Sequence, residues 1–395
     1  MISLVSQFGS PLYVYDESVI QRQAHLLKES LAYPDTLFCY AMKANSNLAI
    51  LDTVRKLGFG VDCVSRGELE LALMAGFDPS VIRFTPSFAL TDEIRFAVEK
   101  GAQVTLDSLP VLEWYLGQFP DIPAGLRLNP SVMAGAYDKT STGHAKAKFG
   151  IGMDLLAEVL RLVASGPFKI NGLHIHSGSD ILETDQFMKA VEVLLSAAPR
   201  FKSLDYIALG SGFKVPYFEG DKKTDMAQLG KTITDRFTGF CADYGRPLRL
   251  IFEPGKFLVS EAGTFLVTCT WVKENGGIRF AGVDSGFNHL IRPMFYGAWH
   301  TITNLSNPQG IPEKYDVVGN ICETDTFASD RMIPEIRPGD ILAFANAGAY
   351  CYSMASSYNS RPRPAEVYLQ QGEARLIRHR ETLQHLLSLQ IPLPS

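Results

Sequence analysis

The 395-residue chain has no apolar run approaching the roughly 18 residues that cross a bilayer as a helix, which argues against a membrane-spanning protein. It has no basic runs and a formal net charge of -5, so nucleic acid is not its expected partner. Met1-Ile2-Ser3 lacks the basic start and apolar core of an export signal. Its six cysteines (Cys39, Cys63, Cys241, Cys269, Cys322 and Cys351) form no CxxC pair and stand beside no metal-type histidine spacing, which argues against a zinc site. Cys39 and Cys63 lie in strand-like runs and read as small core fillers, and a reducing cytoplasm is the simplest compartment. Low-complexity segments and flexible linkers are also missing. What is present is 46% hydrophobic residues, enough for a sizeable core and about two domains.

The first two-thirds of the chain alternates apolar runs with helical stretches. Eight strands are predicted, at 37–43, 60–65, 81–86, 104–108, 125–130, 172–178, 206–212 and 248–255. The helix after Lys43 has Asn45 or Ser46 as its cap, a face of Leu48, Leu51 and Val54, and Gly58 beyond its end. Thr184 is the expected cap of a helix that buries Phe187, Val191 and Leu194. Eight strand–helix units predict an α/β fold, a parallel (β/α)8 barrel with active-site groups at the carboxyl ends of its strands. A doubly wound open sheet competes, but no early GxGxxG turn supports it. After about residue 261 strand-like runs follow one another through turns, as in a largely antiparallel β domain, with which Leu12–Tyr15 could pair. The expected division is 1–25 with the β domain, 26–260 as the barrel and 261–395 as the β domain.

At the predicted strand ends stand Lys43, His176, Ser179, Gly210-Ser211-Gly212 and Glu253-Pro254-Gly255. A lysine at the end of a buried strand is costly without a partner or a task, and desolvation there lowers its pKa toward the free amine that forms Schiff bases. Each group has a plain reading: a snorkelling lysine, a hydrogen-bonded histidine, a turn, a rim carboxylate. His174 and His176, two apart on one strand face, are too few ligands for a metal. Together the groups suit one cofactor, pyridoxal 5'-phosphate. It needs a Schiff-base lysine, a flat group against its ring, backbone N–H groups for its phosphate and a carboxylate for its ring nitrogen.

The stretches YAMKAN (40–45), HIHSGS (174–179), LGSG (209–212), FEPGK (252–256), RPMFY (292–296), CETD (322–325) and GAYCYSMASSYNSRPRPAEV (348–367) make the chain resemble the alanine-racemase-fold pyridoxal-phosphate decarboxylases, most closely the diaminopimelate decarboxylases. The resemblance implies a carboxy-lyase that converts meso-2,6-diaminopimelate to L-lysine and CO2, the last step of lysine biosynthesis. It implies that Lys43 carries the cofactor, His176 stacks on its ring and Glu253 pairs with the ring nitrogen. Ser179, Gly210, Ser211, Gly212 and Tyr350 would surround the phosphate, with Gly255 and Lys256 completing the cofactor set. Lys256, Arg292, Tyr296 and Tyr350 would border the substrate. Cys322 and Glu323 would reach in from the partner of a homodimer with shared active sites, Cys322 as the proton donor and Glu323 against a distal ammonium.

Two positions depart from the family pattern. Gly210-Ser211-Gly212 stands where three glycines are common. Lys256 stands where arginine is usual, and lysine is a point charge rather than a two-pronged carboxylate grip. The rival activities are decarboxylation of ornithine, lysine, arginine or a siderophore precursor, racemisation, and cofactor binding without turnover.

Overall fold

The computed structural model of the chain describes residues 1–132, 143, 147–164 and 166–393. It divides into two compact units, one of Arg22–Val215 with Lys222–Phe257, the other of Met1–Gln21, Pro216–Asp221 and Leu258–Ser395.

The larger unit contains a closed barrel of eight parallel strands: Thr36–Ala41, Gly60–Cys63, Ile82–Phe84, Gln103–Leu106, Ala124–Asn129, Ile170–His174, Tyr206–Ala208 and Arg249–Phe252. Neighbours in sequence are neighbours in the barrel. Closure comes from the first strand pairing with the last, Thr36 to Leu250, with a further short pairing of Ile151–Gly152 against Leu128 and Asn129. All eight predicted strands are present, but each stops short of its predicted carboxyl end. Lys43, His176 and Gly212 therefore lie beyond the ends of their strands, where a side chain can leave the barrel wall.

Two predicted caps differ. The helix Leu48–Lys56 is capped by Asn47, whose side chain accepts from the Ala49 N–H, while Asn45 instead accepts from the N–H of Asn47. The helix Thr184–Ala197 starts one residue earlier than expected, so Thr184 is already helical and Glu183 is the cap residue. Local Asx turns and caps draw on the same residue types, so adjacent candidates are not separable by type alone.

In the second unit Leu12–Asp16 lies between Gly263–Asn275, to which it is antiparallel, and Ala365–Gln370, to which it is parallel. Ile278–Val283 is also parallel to Pro312–Val318. The sheet is therefore mixed rather than purely antiparallel. Leu4, Leu12, Val14, Leu266, Ala365 and Val367 form its buried apolar cluster, which the amino-terminal helix Ile2–Phe8 helps to cover. No helix among the described residues is long and apolar enough to cross a membrane.

Candidate active site

Lys43 occupies a single 3-10 turn, Met42–Ala44, directly after the first barrel strand. Its ammonium lies 3.2 Å from Asp62 Oδ2 on the next strand. The Lys43 side chain is 37% exposed, so the desolvated lysine expected from the sequence is instead a cavity-facing lysine balanced by a buried carboxylate. The Thr85 hydroxyl donates to Asp62 Oδ1 at 2.5 Å. Burial pushes the Asp62 carboxyl up, and the nearby Lys43 ammonium opposes that rise.

A cavity of about 340 Å³ opens at this rim, lined by Lys43, Thr85, Arg127, His174, His176 and Glu253, with Lys148 and Phe149 at its edge. His176 lies two residues past the end of its strand. Burial, followed by the charges of Lys43 and Arg127, drives its pKa well below the ordinary histidine value. It therefore presents a neutral, flat ring to the cavity. Glu253, one residue past its own strand, receives His174 Nε2 on Oε2 at 2.9 Å. Glu253 Oε1 is buried with no hydrogen-bond partner among the described residues. Burial pushes this carboxyl up, but His174, Lys43 and His176 outweigh it and hold the pKa at about 2.

The Gly210-Ser211-Gly212 turn fits here only in this form. Gly210 and Gly212 have φ of 64° and 98°, a region that favours glycine. A Cβ at Gly212 would come within 2.2 Å of the Gly178 carbonyl oxygen, and one at Gly210 within 2.6 Å of His176 Nδ1. Ser211 is tolerated because its hydroxyl turns inward and donates to the Glu253 carbonyl at 2.9 Å. Ser179 is half-buried beside this turn, and Gly255 packs against Ala41 and Ala44 so closely that a Cβ would lie 3.1 Å from the Ala41 carbonyl oxygen.

Lys256 makes a buried ion pair with Asp180, Nζ to Oδ2 at 2.7 Å, and does not line the cavity around Lys43. Removing one partner of such a pair leaves an uncompensated buried charge. Lys256→Ala is expected to destabilise the cofactor-free protein by about 3–5 kcal/mol, whereas Lys256→Met combined with Asp180→Leu should cost far less. Denaturant unfolding of the three proteins checks this, and equal losses in the single and double variants would show that the pairing is not what matters.

The remaining predicted residues belong to the second unit. Arg292 is buried at the start of the short helix Arg292–Tyr296, its guanidinium donating to the Ala349 carbonyl at 3.2 Å and to the Tyr217 hydroxyl at 3.3 Å. Tyr296 packs edge-on against Phe295 with centroids 4.7 Å apart. Tyr350 takes a left-handed backbone conformation, φ 57°. Cys322 and Glu323 are exposed. Asn359 Nδ2 donates to Cys322 Sγ at 3.1 Å, the Tyr358 hydroxyl lies 3.7 Å from the same sulfur, and Tyr358 donates to Glu323 Oε1 at 3.0 Å. These contacts, Asn359 first, lower the Cys322 pKa.

The pyridoxal-dependent decarboxylase, pyridoxal binding domain family matches residues 17–260. The chain is 40% identical to a diaminopimelate decarboxylase of Methanothermobacter thermautotrophicus, across 98% of this chain and 92% of that protein. It is 35% identical to the diaminopimelate decarboxylase of Vibrio cholerae serotype O1, across 100% of this chain and 95% of that protein. The chain belongs to the diaminopimelate decarboxylase family. The solved structure of diaminopimelate decarboxylase from Helicobacter pylori complexed with L-lysine superposes with a TM-score of 0.90 at 32% identity, covering 98% of both chains. As a member of the diaminopimelate decarboxylase family, the chain is a pyridoxal-phosphate-dependent lyase. The barrel unit fits that cofactor: a lysine and a glutamate line one cavity, a carboxylate oxygen of that glutamate is buried without a partner among the described residues, and Gly210 and Gly212 have no room for a Cβ.

Sequence reasoning missed Asp62, Arg127, Asp180, Tyr358 and Asn359, and it treated His174 only as half of an inadequate metal pair. Asp62 sits inside the short strand Gly60–Cys63, where an acidic residue reads as strand punctuation until its lysine partner is seen. Tyr358 and Asn359 fall within the 348–367 stretch, but no spacing rule links them to residue 322.

Proposed function

We propose that this chain decarboxylates meso-2,6-diaminopimelate to L-lysine as a homodimer, in the cytoplasm. The observation that carries the reading is the cavity that joins Lys43, His176 and Glu253 in one barrel mouth. Lys43 would hold the cofactor covalently, His176 would lie against its ring, and Glu253 would take its ring nitrogen. The backbone of Gly210–Gly212, with Ser179 and Tyr350, would receive the phosphate, beside Gly255 and Lys256. Bound pyridoxal phosphate supplies an electron-accepting ring into which the electron pair left by a departing carboxylate can spread.

The chain's own residues then have defined tasks. Glu253, ionised, favours a protonated ring nitrogen. Cys322 of the partner subunit delivers a proton to the α-carbon once CO2 has left, with the Lys43 amine as the competing donor. Glu323 of the partner subunit faces the distal ammonium, and Arg292 and Tyr296 face the distal carboxylate. Because Ala349 and Tyr217 already hold the Arg292 guanidinium, it is oriented before substrate arrives. Lys256, held by Asp180, is better suited to the electrostatics of the phosphate region than to gripping a carboxylate with two bonds.

CO2 release from a panel of amino acids, with the amine product identified, tests the substrate. Release from meso-diaminopimelate but not from lysine, ornithine or arginine supports the proposal, and the reverse pattern replaces it. Arg292→Ala is expected to raise KM for the diacid by roughly ten- to a hundredfold, the scale of a lost charge-assisted hydrogen bond. Any monocarboxylate that reacts should suffer less. Equal losses for both substrate types would make Arg292 a structural residue.

A further inference from the structure

His174 is buried, lies at the end of its strand and lines the cavity, yet none of the cofactor-binding roles proposed above falls to it. Its reach to Glu253 crosses an entire strand. His174 is opposite Ala208 on the intervening strand, and Ala208 is opposite Ile251, two residues before Glu253. The intervening strand presents a small residue, Ala208, at that level, and the imidazole meets the carboxylate at 2.9 Å with both partners almost fully buried. An ionised carboxylate is an acceptor only, so Nε2 must carry the hydrogen in this bond. His174 Nδ1 has no hydrogen-bond partner among the described residues, so within the hydrogen bonds described the ring is oriented through this single bond.

We infer that His174 is a positioning residue for decarboxylation, which fixes Glu253 so that Oε1 faces the cofactor and which keeps the proton shared there on the ring nitrogen rather than on the carboxylate. This rests on the assignment of Glu253 to the ring nitrogen made above.

A carboxylate that accepts one strong hydrogen bond on Oε2 loses rotational freedom, and its second oxygen is left pointing at a defined place. The same bond withdraws charge from the carboxylate and lowers its affinity for a proton. A proton between Oε1 and a pyridine-type nitrogen is then held by the nitrogen, the state in which the ring is the stronger electron sink. The low pKa of Glu253 despite its burial agrees with this geometry, since His174 is the largest influence opposing burial. A purely structural histidine would serve packing alone and leave the ring nitrogen indifferent to its replacement.

His174→Phe preserves ring shape without a donor, and His174→Gln places an N–H donor close to the position of Nε2. In the loaded enzyme His174→Phe is expected to lower kcat by roughly ten- to a hundredfold with KM little changed, and His174→Gln to recover most of it. Nitrogen-15 NMR with ring-labelled pyridoxal phosphate reads the second effect directly. The ring-nitrogen resonance should move toward its unprotonated position in His174→Phe and stay near wild type in His174→Gln.

Wild-type kcat and resonance in His174→Phe, or equal losses in both variants, would overturn the inference. If His174→Phe fails to fold, nitrogen-15 histidine spectra of the wild-type holoenzyme still decide. His174, assigned by its loss in His174→Gln, should be protonated at Nε2 and should shift in Glu253→Gln. A ring protonated only at Nδ1 would overturn the inference. Glu253→Gln run beside these proteins separates the two levels. If its cofactor nitrogen stays protonated, the assignment of Glu253 fails. If that nitrogen loses its proton while His174→Phe leaves it untouched, only the role of His174 fails.

Discussion

Lys43→Ala protein is expected to lose the covalently held cofactor and to fall in turnover on the order of a thousandfold or more, because binding and exchange with substrate both use that amine. It should still fold. Lys43 is partly exposed, and the residue it deserts, Asp62, keeps its bond from Thr85. Burial already pushes the Asp62 carboxyl up, and loss of the ammonium removes the largest influence opposing that rise. Borohydride reduction of the wild-type protein followed by peptide mapping checks the assignment sharply, because the same cavity is lined by a second lysine, Lys148. Reduced cofactor on the Lys148 peptide would move the chemistry off Lys43.

The second large effect concerns Cys322. In the single chain its thiol is exposed and tuned by Asn359 and Tyr358, whereas the amine with which it would act belongs to the barrel unit. If Cys322 completes the site of a partner subunit, Lys43→Ala and Cys322→Ala proteins should each be nearly inactive alone. Mixed and allowed to exchange, they should form heterodimers in which one site carries both defects and the other carries none. With statistical pairing about half the dimers are mixed, and activity should recover to roughly a quarter of wild type. A mass-tagged control must first show that mixed dimers form. Mixed dimers without recovered activity would place both residues in one subunit's site or remove Cys322 from the reaction.

The barrel was readable because its strands are short apolar runs bounded by polar or turn residues, and the strand end that precedes Lys43 shows this plainly. The second unit was less readable. Thr326–Pro334 carries Asp330, Arg331 and Met332 in its middle, and Glu373–Arg378 is mostly exposed, so neither gives the apolar alternation of a half-buried strand. The parallel pairing of Leu12–Asp16 with Ala365–Gln370 was also hidden, since it joins segments hundreds of residues apart. At the site, the residues carried by motifs were legible. The groups that tune them were not: Asp62 for Lys43, His174 for Glu253, Asp180 for Lys256. Each acts through a contact between strands or loops, and side-chain period along one strand does not report which residue meets it from the next.

The placement of Leu12–Asp16 also bears on how the chain reaches its native state. This strand is held on one side by Gly263–Asn275 and on the other by Ala365–Gln370. During synthesis it is made before either partner, so one edge stays open until Gly263–Asn275 follows and the other until Ala365–Gln370 does. The barrel strands, which pair mainly with near neighbours in sequence, have all emerged by then. Late ribosomal stalling would therefore release a chain whose barrel can close while its first strand remains an unpaired edge, the kind of surface that chaperones retain and that seeds aggregation.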